Sequence, residues 1–149
     1  MRLYVKDGEM LIGGHAGSTG QIAINPGNDG GPWVKIDNKA IMSIMNYVDP
    51  NKTLKLVRLN ACNSAKDSTH SLSLAKNLQA LDNYRSYLGA NGYYYPDGMV
   101  ADMYRKKDNT PVNFENISQS DENNSYRIPV ERPYKLFLGK DALIGGPGG

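Results

Sequence analysis

A single cysteine and one of two histidines have the residue types of a catalytic pair. Cys62 directly follows an apolar run that ends in Leu59-Asn60-Ala61. About forty-five residues upstream, the run Met10-Leu11-Ile12-Gly13-Gly14 leads into His15. A thiolate is a strong nucleophile, and histidine is its usual base because its ordinary pKa lies near neutrality. The two residues therefore indicate thiol-dependent acyl transfer, provided that the fold brings them together.

The segment between them predicts elements that could do so. A helix is predicted after the N-cap Asp37, with an apolar stripe formed by Ile41, Ile44, Met45 and Val48. The run Leu54 to Leu59 is nearly continuous in apolar residues, as in a parallel strand buried on both faces. Functional groups collect at the carboxyl ends of parallel strands, and sequential strands are usually neighbours. We therefore expect His15 and Cys62 to meet at one edge of a sheet.

Turn residues and apolar runs predict the other elements. Leu3 to Val5 and Met10 to Ile12 flank Asp7-Gly8, which predicts a hairpin. Four glycines between Gly13 and Gly20 argue against a helix or a regular strand there. A short strand is predicted at 21–24 and a loop at 25–32. A second helix is predicted, capped by Ser68 or Thr69, with a core stripe of Leu74, Leu78 and Leu81. Further strands are predicted at 84–88, 93–95, 99–104 and 134–138.

This order of elements predicts an α/β fold with a mostly parallel central sheet flanked by helices. A chain of 149 residues fits a single domain, 1–149, with a core of its own. We expect the core at about 1–106 and a polar surface excursion at 108–125. The last strand and a flexible Gly/Pro tail are expected within 126–149, as an irregular or β extension.

Further residues have predicted roles around the thiol. The backbone amides of Gly17 and Cys62 could form an oxyanion hole, since glycine lets the backbone approach a substrate closely. Asp97 and Asp102 could line a pocket that reads a basic group on the substrate. His70, shortly after Cys62, is a rival base. In the non-catalytic interpretation, Cys62 is a small apolar residue at the end of a strand.

Charge and composition bound the partners and the compartment. The net charge is only +2, and the densest basic run is Arg105-Lys106-Lys107, so no nucleic-acid partner is expected. No apolar run approaches the roughly 18 residues of a membrane span, and the N-terminus lacks a signal peptide. One cysteine cannot form an internal disulfide and fits a reducing compartment. We expect a soluble protein, cytoplasmic in the producing cell or delivered to a target cell by a signal-free secretion route.

Residues 8–104 resemble the caspase-like cysteine peptidase fold. Its pattern is an apolar strand ending in His-Gly, a helix, and an apolar strand ending in Ala-Cys, to which Met10–His15 and Val57–Ser64 correspond. Bacterial effector and polymorphic-toxin domains are more similar still, through Ala61-Cys62-Asn63-Ser64, a Leu- and Ala-rich helix and Asn91-Gly92. The chain departs from the family in one place, because Ala16 separates His15 from Gly17.

The resemblance implies a Cys/His-dependent peptidase or a related acyl-transfer hydrolase, acting as a bacterial effector or toxin domain. Cys62 would be the nucleophile and His15 the base, with no metal or other cofactor. The implied partners are a protein or peptide substrate and a cognate immunity protein.

Two other functions remain open from the residues. The first is a toxin domain with nuclease or nucleotide-hydrolase activity, for which Asp97, Asp102, Arg105 and Glu115 could supply the site. The second is a non-catalytic binding or immunity module that uses its ten tyrosines, whose rings bury apolar area while their hydroxyls stay in water.

Overall fold

The computed structural model describes residues 1–16, 19–24, 33–112, 118, 120 and 123–140. These residues form an α/β fold with two helices and a larger number of short strands. The predicted loop at 25–32 and the Gly/Pro tail lie outside the described residues. Within the described part, neither helix has the length and apolar content that a membrane crossing requires.

The chain runs through twelve strands and two helices in the described residues. In order these are β1 (Arg2–Lys6), β2 (Glu9–Gly13), β3 (His15–Ala16), β4 (Ile22–Ile24), β5 (Val34–Lys35), α1 (Asn38–Val48), β6 (Leu56–Asn60), α2 (Leu74–Leu81), β7 (Ser86–Ala90), β8 (Tyr93–Tyr94), β9 (Val100–Lys106), β10 (Pro111–Val112), β11 (Ser125–Pro129) and β12 (Tyr134–Phe137).

The largest sheet has five strands in the order β1-β2-β6-β7-β12. Its three central strands are parallel, since β6 pairs in parallel with both β2 and β7. Both edge strands, β1 and β12, are antiparallel to their neighbours. The sheet is therefore mixed, whereas the sequence predicted a mostly parallel one. The parallel part comes from the two crossovers through α1 and α2, and the antiparallel edges come from a hairpin and from the returning C-terminal segment.

The β1–β2 hairpin confirms the prediction made from its turn residues. Asp7 and Gly8 both have positive φ, 52° and 76°. Two successive positive φ angles define the type I′ turn, whose twist matches that of paired strands. The register of the hairpin then places Met10 and Ile12 on the core face of β2, where both are fully buried.

Helix α1 begins where predicted but faces the sheet differently. The Asp37 carboxylate accepts a hydrogen bond from the Lys39 N–H, which caps the helix. Ile41 and Met45 of the predicted stripe are buried, together with Met42. Ile44 and Val48 are 40% and 42% exposed, so that part of the prediction was wrong. Met42 is buried instead, because the helix packs on the sheet through one narrow face made of Ile41, Met42 and Met45.

Helix α2 begins later than predicted. Its N-cap is Ser73, whose side chain accepts from the Lys76 N–H, and not Ser68 or Thr69. Ser68 instead organises the preceding loop, since its hydroxyl accepts from the N–H groups of His70 and Ser71. Such local bonds compete with helix initiation. In the predicted core stripe of this helix, Leu74 and Leu78 are buried, whereas Leu81 is 43% exposed.

Both helices pack on one face of the five-stranded sheet. The core consists of Met10, Ile12, Ile22, Ile41, Met42, Met45, Val57, Leu59, Leu74, Ala75, Leu78 and Tyr87. On the opposite face, Leu11, Arg58 and Leu88 lie in register and are only half-buried. The prediction that the β6 strand is buried on both faces was therefore wrong, because the helices cover only one of them.

Two smaller sheets flank the large one. The first contains β10-β9-β11, with β8 paired to the other end of β9. This sheet supplies the β character expected of the C-terminal extension, and it includes a strand at 125–129 that the sequence did not predict. The second sheet is β3-β4-β5, and its strand β3 (His15–Ala16) lies in the glycine-rich stretch where no strand was expected. Pairing with β4 stabilises β3 despite the neighbouring glycines.

A buried charge cluster joins the ends of both helices. Arg85 is fully buried and donates to the carboxylates of Asp82 and Asp49 at 2.8 and 3.2 Å. Asp49 is the C-cap of α1 and Asp82 is the C-cap of α2. The Tyr87 hydroxyl also donates to Asp82, at 3.0 Å. A cation near helix C-termini is electrostatically favourable, so Arg85 holds the two helix ends against the sheet.

Candidate functional site

The strand register places His15 and Cys62 at the same end of neighbouring strands. Gly13 is the Cα partner of Asn60 in the parallel β2–β6 pair. His15 lies two residues after Gly13, and Cys62 lies two residues after Asn60. Adjacent strands lie about 4.8 Å apart. Both chain segments therefore leave the sheet at the same edge, and β2 and β6 are parallel neighbours, as the sequence predicted.

The turn that carries Cys62 is bonded to the next strand. The Asn63 residue has a positive φ of 53°, and its N–H donates to the Gly92 carbonyl at 2.6 Å. The Ala65 N–H donates to the Ala90 carbonyl at 2.9 Å. Asparagine tolerates this left-handed backbone better than most residues do. The chain thus reverses sharply after Cys62 and is held against the end of β7.

Ser64 fixes the same turn from inside the protein. Its hydroxyl donates to the Leu59 carbonyl at 2.9 Å and accepts from the Ala90 N–H at 2.8 Å. The Ser64 carbonyl also accepts from the Ala75 N–H in the first turn of α2. Because Ser64 is fully buried, each of these bonds replaces one that water would otherwise make. Ser64 therefore ties β6, β7 and α2 together directly beside the thiol.

The Cys62 thiol is half-buried and protonated in this arrangement. Its sulfur donates to the Tyr94 carbonyl at 3.7 Å. Burial raises the pKa of the Cys62 thiol above its ordinary value, and backbone interactions with Tyr94 and with Cys62 itself offset only part of that rise. Burial favours the neutral form because the thiolate loses hydration. At neutral pH the side chain is therefore a thiol, which is the less nucleophilic form.

His15 faces solvent on the strand β3. Its ring lies edge-on to the Trp33 ring, with centroids 4.9 Å apart and planes at 70°. In the described part of the chain, His15 and Cys62 do not hydrogen-bond each other. The structure brings the two chain segments to one edge of the sheet. The imidazole, however, contacts the Trp33 ring, and the thiol donates to the Tyr94 carbonyl.

The hairpin that follows His15 is anchored to the loop that follows Cys62. The Ser71 hydroxyl donates to the Thr19 carbonyl at 2.9 Å, and the Asn77 amide donates to the Gly20 carbonyl at 3.2 Å. Gly20 has φ +70°, and a Cβ there would overlap the Leu72 carbonyl. Only glycine fits this approach. The position of the His15 segment is thus set by contacts with α2 and with the loop before it.

The structure describes only one of the two predicted oxyanion donors. Gly17 lies outside the described residues. The Cys62 amide lies at the start of the turn and interacts with its own sulfur. An oxyanion hole needs a donor directed at the substrate oxygen that gains charge, so this amide stays a predicted donor.

The structure separates the two predicted substrate-binding carboxylates. Asp97 accepts from the Met99 N–H and pairs with Arg127, both at 3.0 Å. The Met99 amide and then the Arg127 guanidinium lower the pKa of Asp97. Asp102 instead pairs with Lys66 at 3.6 Å and borders an open depression of about 230 Å³. Asp97 is engaged in its own turn and does not line this depression.

We call this depression the Asp102 pocket. It is lined by Asn63, Lys66, Asp67, Ser68, Gly92, Tyr93 and Asp102. It lies between the turn that follows Cys62 and the β8–β9 hairpin. One of its lining residues, Asn63, is the direct neighbour in sequence of the candidate nucleophile Cys62.

The remaining predicted site residues lie elsewhere. His70 is exposed on the loop before α2, and its backbone N–H donates to Ser68. Arg105 donates to the Asn109 carbonyl at 2.9 Å, which stabilises a surface turn. Glu115 lies outside the described residues. Within the described residues, no group of three His, Cys, Asp or Glu side chains could hold a metal ion.

Sequence reasoning did not assign roles to Ser64, Trp33, Tyr94 and Lys66. The sequence carried a weak signal for the role of Ser64, because this serine lies two residues after Cys62, close to the end of a buried strand. Trp33 had none, since its contact with His15 depends on the pairing of three very short strands. The contacts of Tyr94 and Lys66 depend on how the second sheet docks, which no local pattern encodes.

Comparisons with known proteins identify no relative. A scan against protein-family models, a search of curated proteins and a search of solved structures each found no match to this chain.

Proposed function

We propose that the protein is a Cys/His-dependent peptidase, or a related thiol acyl-transfer enzyme, with Cys62 as nucleophile and His15 as base. One observation carries the proposal. Gly13 and Asn60 are register partners in adjacent parallel strands, so the two candidate residues leave the same edge at equal distances along the chain. In the proposed active form, the nucleophile and the base, which follow the ends of these neighbouring strands, come together.

The proposed reaction uses these two groups in turn. His15 takes the thiol proton, and the Cys62 sulfur attacks a substrate carbonyl to form a tetrahedral oxyanion. The Cys62 amide donates to that oxygen. Collapse of this intermediate breaks the C–N bond, and His15 gives its proton to the leaving amine. Water then attacks the thioester, with His15 as the general base, which releases the acid and restores the thiol.

The resting arrangement must change before this chemistry can begin. Burial favours the neutral Cys62 thiol, so an approaching imidazole has to accept the proton during attack. The imidazole must first leave the Trp33 ring. An aromatic contact of this kind is worth about 0.5–1.5 kcal/mol, which thermal motion can overcome. The described state is therefore an unengaged form of the proposed pair.

We assign the fold and the biological role by the same resemblance. A caspase-like arrangement is supported by the order β2, α1, β6, in which the strand that precedes His15 and the strand that precedes Cys62 are parallel neighbours connected through a helix. The Ala61-Cys62-Asn63-Ser64 segment supports a bacterial effector or toxin domain. Its substrate would be a protein or peptide, and an immunity protein would protect the producing cell.

Peptide hydrolysis by matched variants tests this function. The assay follows cleavage of a diverse peptide mixture by mass spectrometry, using the full chain and the variants Cys62→Ala, His15→Ala and His70→Ala. We expect cleavage by the native chain and by His70→Ala, and none by the other two variants. Circular dichroism checks that all four proteins fold. Cleavage that persists without Cys62 would rule out the proposal.

A non-catalytic binding module is the second candidate function. It is favoured by the His15–Trp33 contact and by the raised pKa of the Cys62 thiol, both of which suit an inert surface and a packed side chain. In that case iodoacetamide would leave Cys62 unmodified in the folded protein, and the His15→Ala change would not alter this result.

A further inference from the structure

The Asp102 pocket contains one carboxylate that can exchange its cation. Three charged side chains line the pocket: Lys66, Asp67 and Asp102. Asp67 is fully engaged, because it accepts from the Lys76 ammonium at 2.6 Å and from the Ser73 N–H at 2.9 Å. Among the described residues, the ion-pair partner of Asp102 is Lys66 alone, at 3.6 Å. Asp102 is therefore the anionic group that a ligand could engage.

The two side chains of this ion pair differ in length and therefore in how far they can move. Asp102 lies in β9 at a register shift, between Ala101, which pairs with β8 and β11, and Met103, which pairs with β11, and its side chain is short. Lys66 follows the Cys62 turn and has a long flexible stem, and its side chain is 49% exposed. A half-exposed pair at this separation is weak. When a second cation arrives, Lys66 can therefore move into solvent while the carboxylate stays.

The other lining residues suit an organic cation. Tyr93 is one of the lining residues, and aromatic rings attract ammonium and guanidinium groups. Gly92 adds no side chain to the cavity, and a Cβ there would approach the Ala101 carbonyl at 2.7 Å. The volume of about 230 Å³ exceeds the space that a single water molecule needs and accommodates the end of an arginine side chain.

We propose that the Asp102 pocket binds a basic side chain of a peptide, and that Lys66 occupies Asp102 as an internal substitute cation until that side chain displaces it. The choice of a peptide rests on the proposed function, whereas the choice of a cation rests on the pocket itself. The pocket adjoins Cys62 through Asn63, so a bound basic residue would hold a peptide beside the thiol.

This proposal predicts opposite effects for the two partners. Removal of Lys66 frees the carboxylate and should strengthen binding of a basic peptide by about two- to five-fold. Removal of the charge on Asp102 should weaken binding by about two- to five-fold, since a half-exposed ion pair with the ligand is lost. A residue with a merely structural role in the pocket would weaken binding in both cases.

Titrations followed by ¹⁵N–¹H NMR at low ionic strength measure these effects. The Cys62→Ala protein serves as the parent, so no peptide is cleaved, and the spectra also report folding. The probes are acetyl-Ala-Arg-Ala-amide and the same peptide with citrulline, which is nearly isosteric and uncharged. We expect saturable shifts at Asn63, Gly92 and Asp102 with the arginine peptide, and binding about two- to five-fold weaker with citrulline.

Variants in the same parent complete the test. The expected order of affinity for the arginine peptide is Lys66→Ala first, then the parent together with Asp97→Asn, and Asp102→Asn last. Asp97→Asn is the matched control, because it removes an exposed carboxylate outside the pocket. Equal binding of the two peptides, or weaker binding by Lys66→Ala, would overturn the proposal. Since the parent lacks the thiol, this outcome is independent of whether the native chain is a peptidase.

Discussion

The Ser64 hydroxyl and the Ala90 N–H form a buried hydrogen bond of 2.8 Å that joins the end of β7 to the turn carrying Cys62. The same hydroxyl donates to the Leu59 carbonyl, so one side chain satisfies the backbone of two neighbouring strands where their pairing ends. The position of the candidate nucleophile therefore depends on a residue that takes no part in the proposed chemistry.

Replacement of Ser64 by alanine should destabilise the protein by about 1–3 kcal/mol, because it leaves a buried N–H and a buried carbonyl without a partner. Urea unfolding followed by circular dichroism measures this loss. Ser43→Ala is the control, since that hydroxyl bonds an exposed helix carbonyl and should matter far less. If both variants unfold at the same urea concentration, Ser64 does not hold the turn.

The buried Arg85 should be among the most sensitive positions in the fold. Arg85→Met leaves Asp49 buried without its cation and leaves Asp82 with Lys52 as its remaining cation, which we expect to cost about 3–5 kcal/mol. The urea midpoint measures the loss. Lys76→Met breaks an exposed pair with Asp67 and serves as the control, with little expected change. A stable Arg85→Met protein would contradict a role for this cluster in joining the helix ends.

The carboxylates of the same cluster predict how stability depends on pH. Burial acts to raise the pKa of Asp49, but hydrogen bonds from Leu54, Thr53 and Arg85 outweigh it and lower the pKa from 3.8 to about 2. A lowered folded-state pKa stabilises the protein above the ordinary value, and this contribution is lost as the pH falls towards 2. Thermal midpoints measured from pH 6 to pH 2 should therefore drop mainly below pH 4.

Asp49→Asn provides the matched comparison for that pH dependence. The variant should be less stable at pH 6, and its midpoint should fall less steeply than that of the native chain between pH 4 and pH 2. Parallel curves for the two proteins would show that Asp49 does not contribute to the acid sensitivity.

Release of His15 from Trp33 should favour the proposed catalytic state. Trp33 is 55% exposed, so Trp33→Ala should leave the fold intact while removing the ring that holds the imidazole. An aromatic contact worth about 0.5–1.5 kcal/mol corresponds to an increase of about two- to ten-fold in peptide cleavage. Initial rates measure this change, and Trp33→Phe, which keeps an aromatic partner, is the control. A slower Trp33→Ala variant would mean that Trp33 supports His15 in the active arrangement.

Local sequence patterns predicted much of the central sheet. The Asp7-Gly8 turn, the Asp37 cap and the apolar run before Cys62 each encode their structure within a few residues, and the structure contains all three elements. The convergence of the β2 and β6 strand ends followed from the general preference of sequential parallel strands to be neighbours.

The parts that were missed depend on distant contacts. Ser68 was expected to begin α2, but its hydroxyl forms a local turn, and the helix starts at the next suitable cap, Ser73. Strand β11 lies in a polar segment with no apolar run, and it forms because β9 offers a partner. Likewise, the separation of Asp97 from Asp102 reflects the pairing of Asp97 with Arg127, thirty positions later, which no spacing rule predicts.

The most direct test of the proposed pair is the rate at which iodoacetamide alkylates Cys62 between pH 5 and pH 10. The native chain, His15→Ala and His70→Ala are compared under identical conditions. We predict that His15→Ala reacts at least about ten-fold more slowly than the native chain near pH 7, whereas His70→Ala does not differ from it. The three profiles should converge once the pH exceeds the raised pKa of the Cys62 thiol, where the thiol ionises without help. Coincident profiles for the native chain and His15→Ala over the whole range would contradict a functional link between His15 and Cys62.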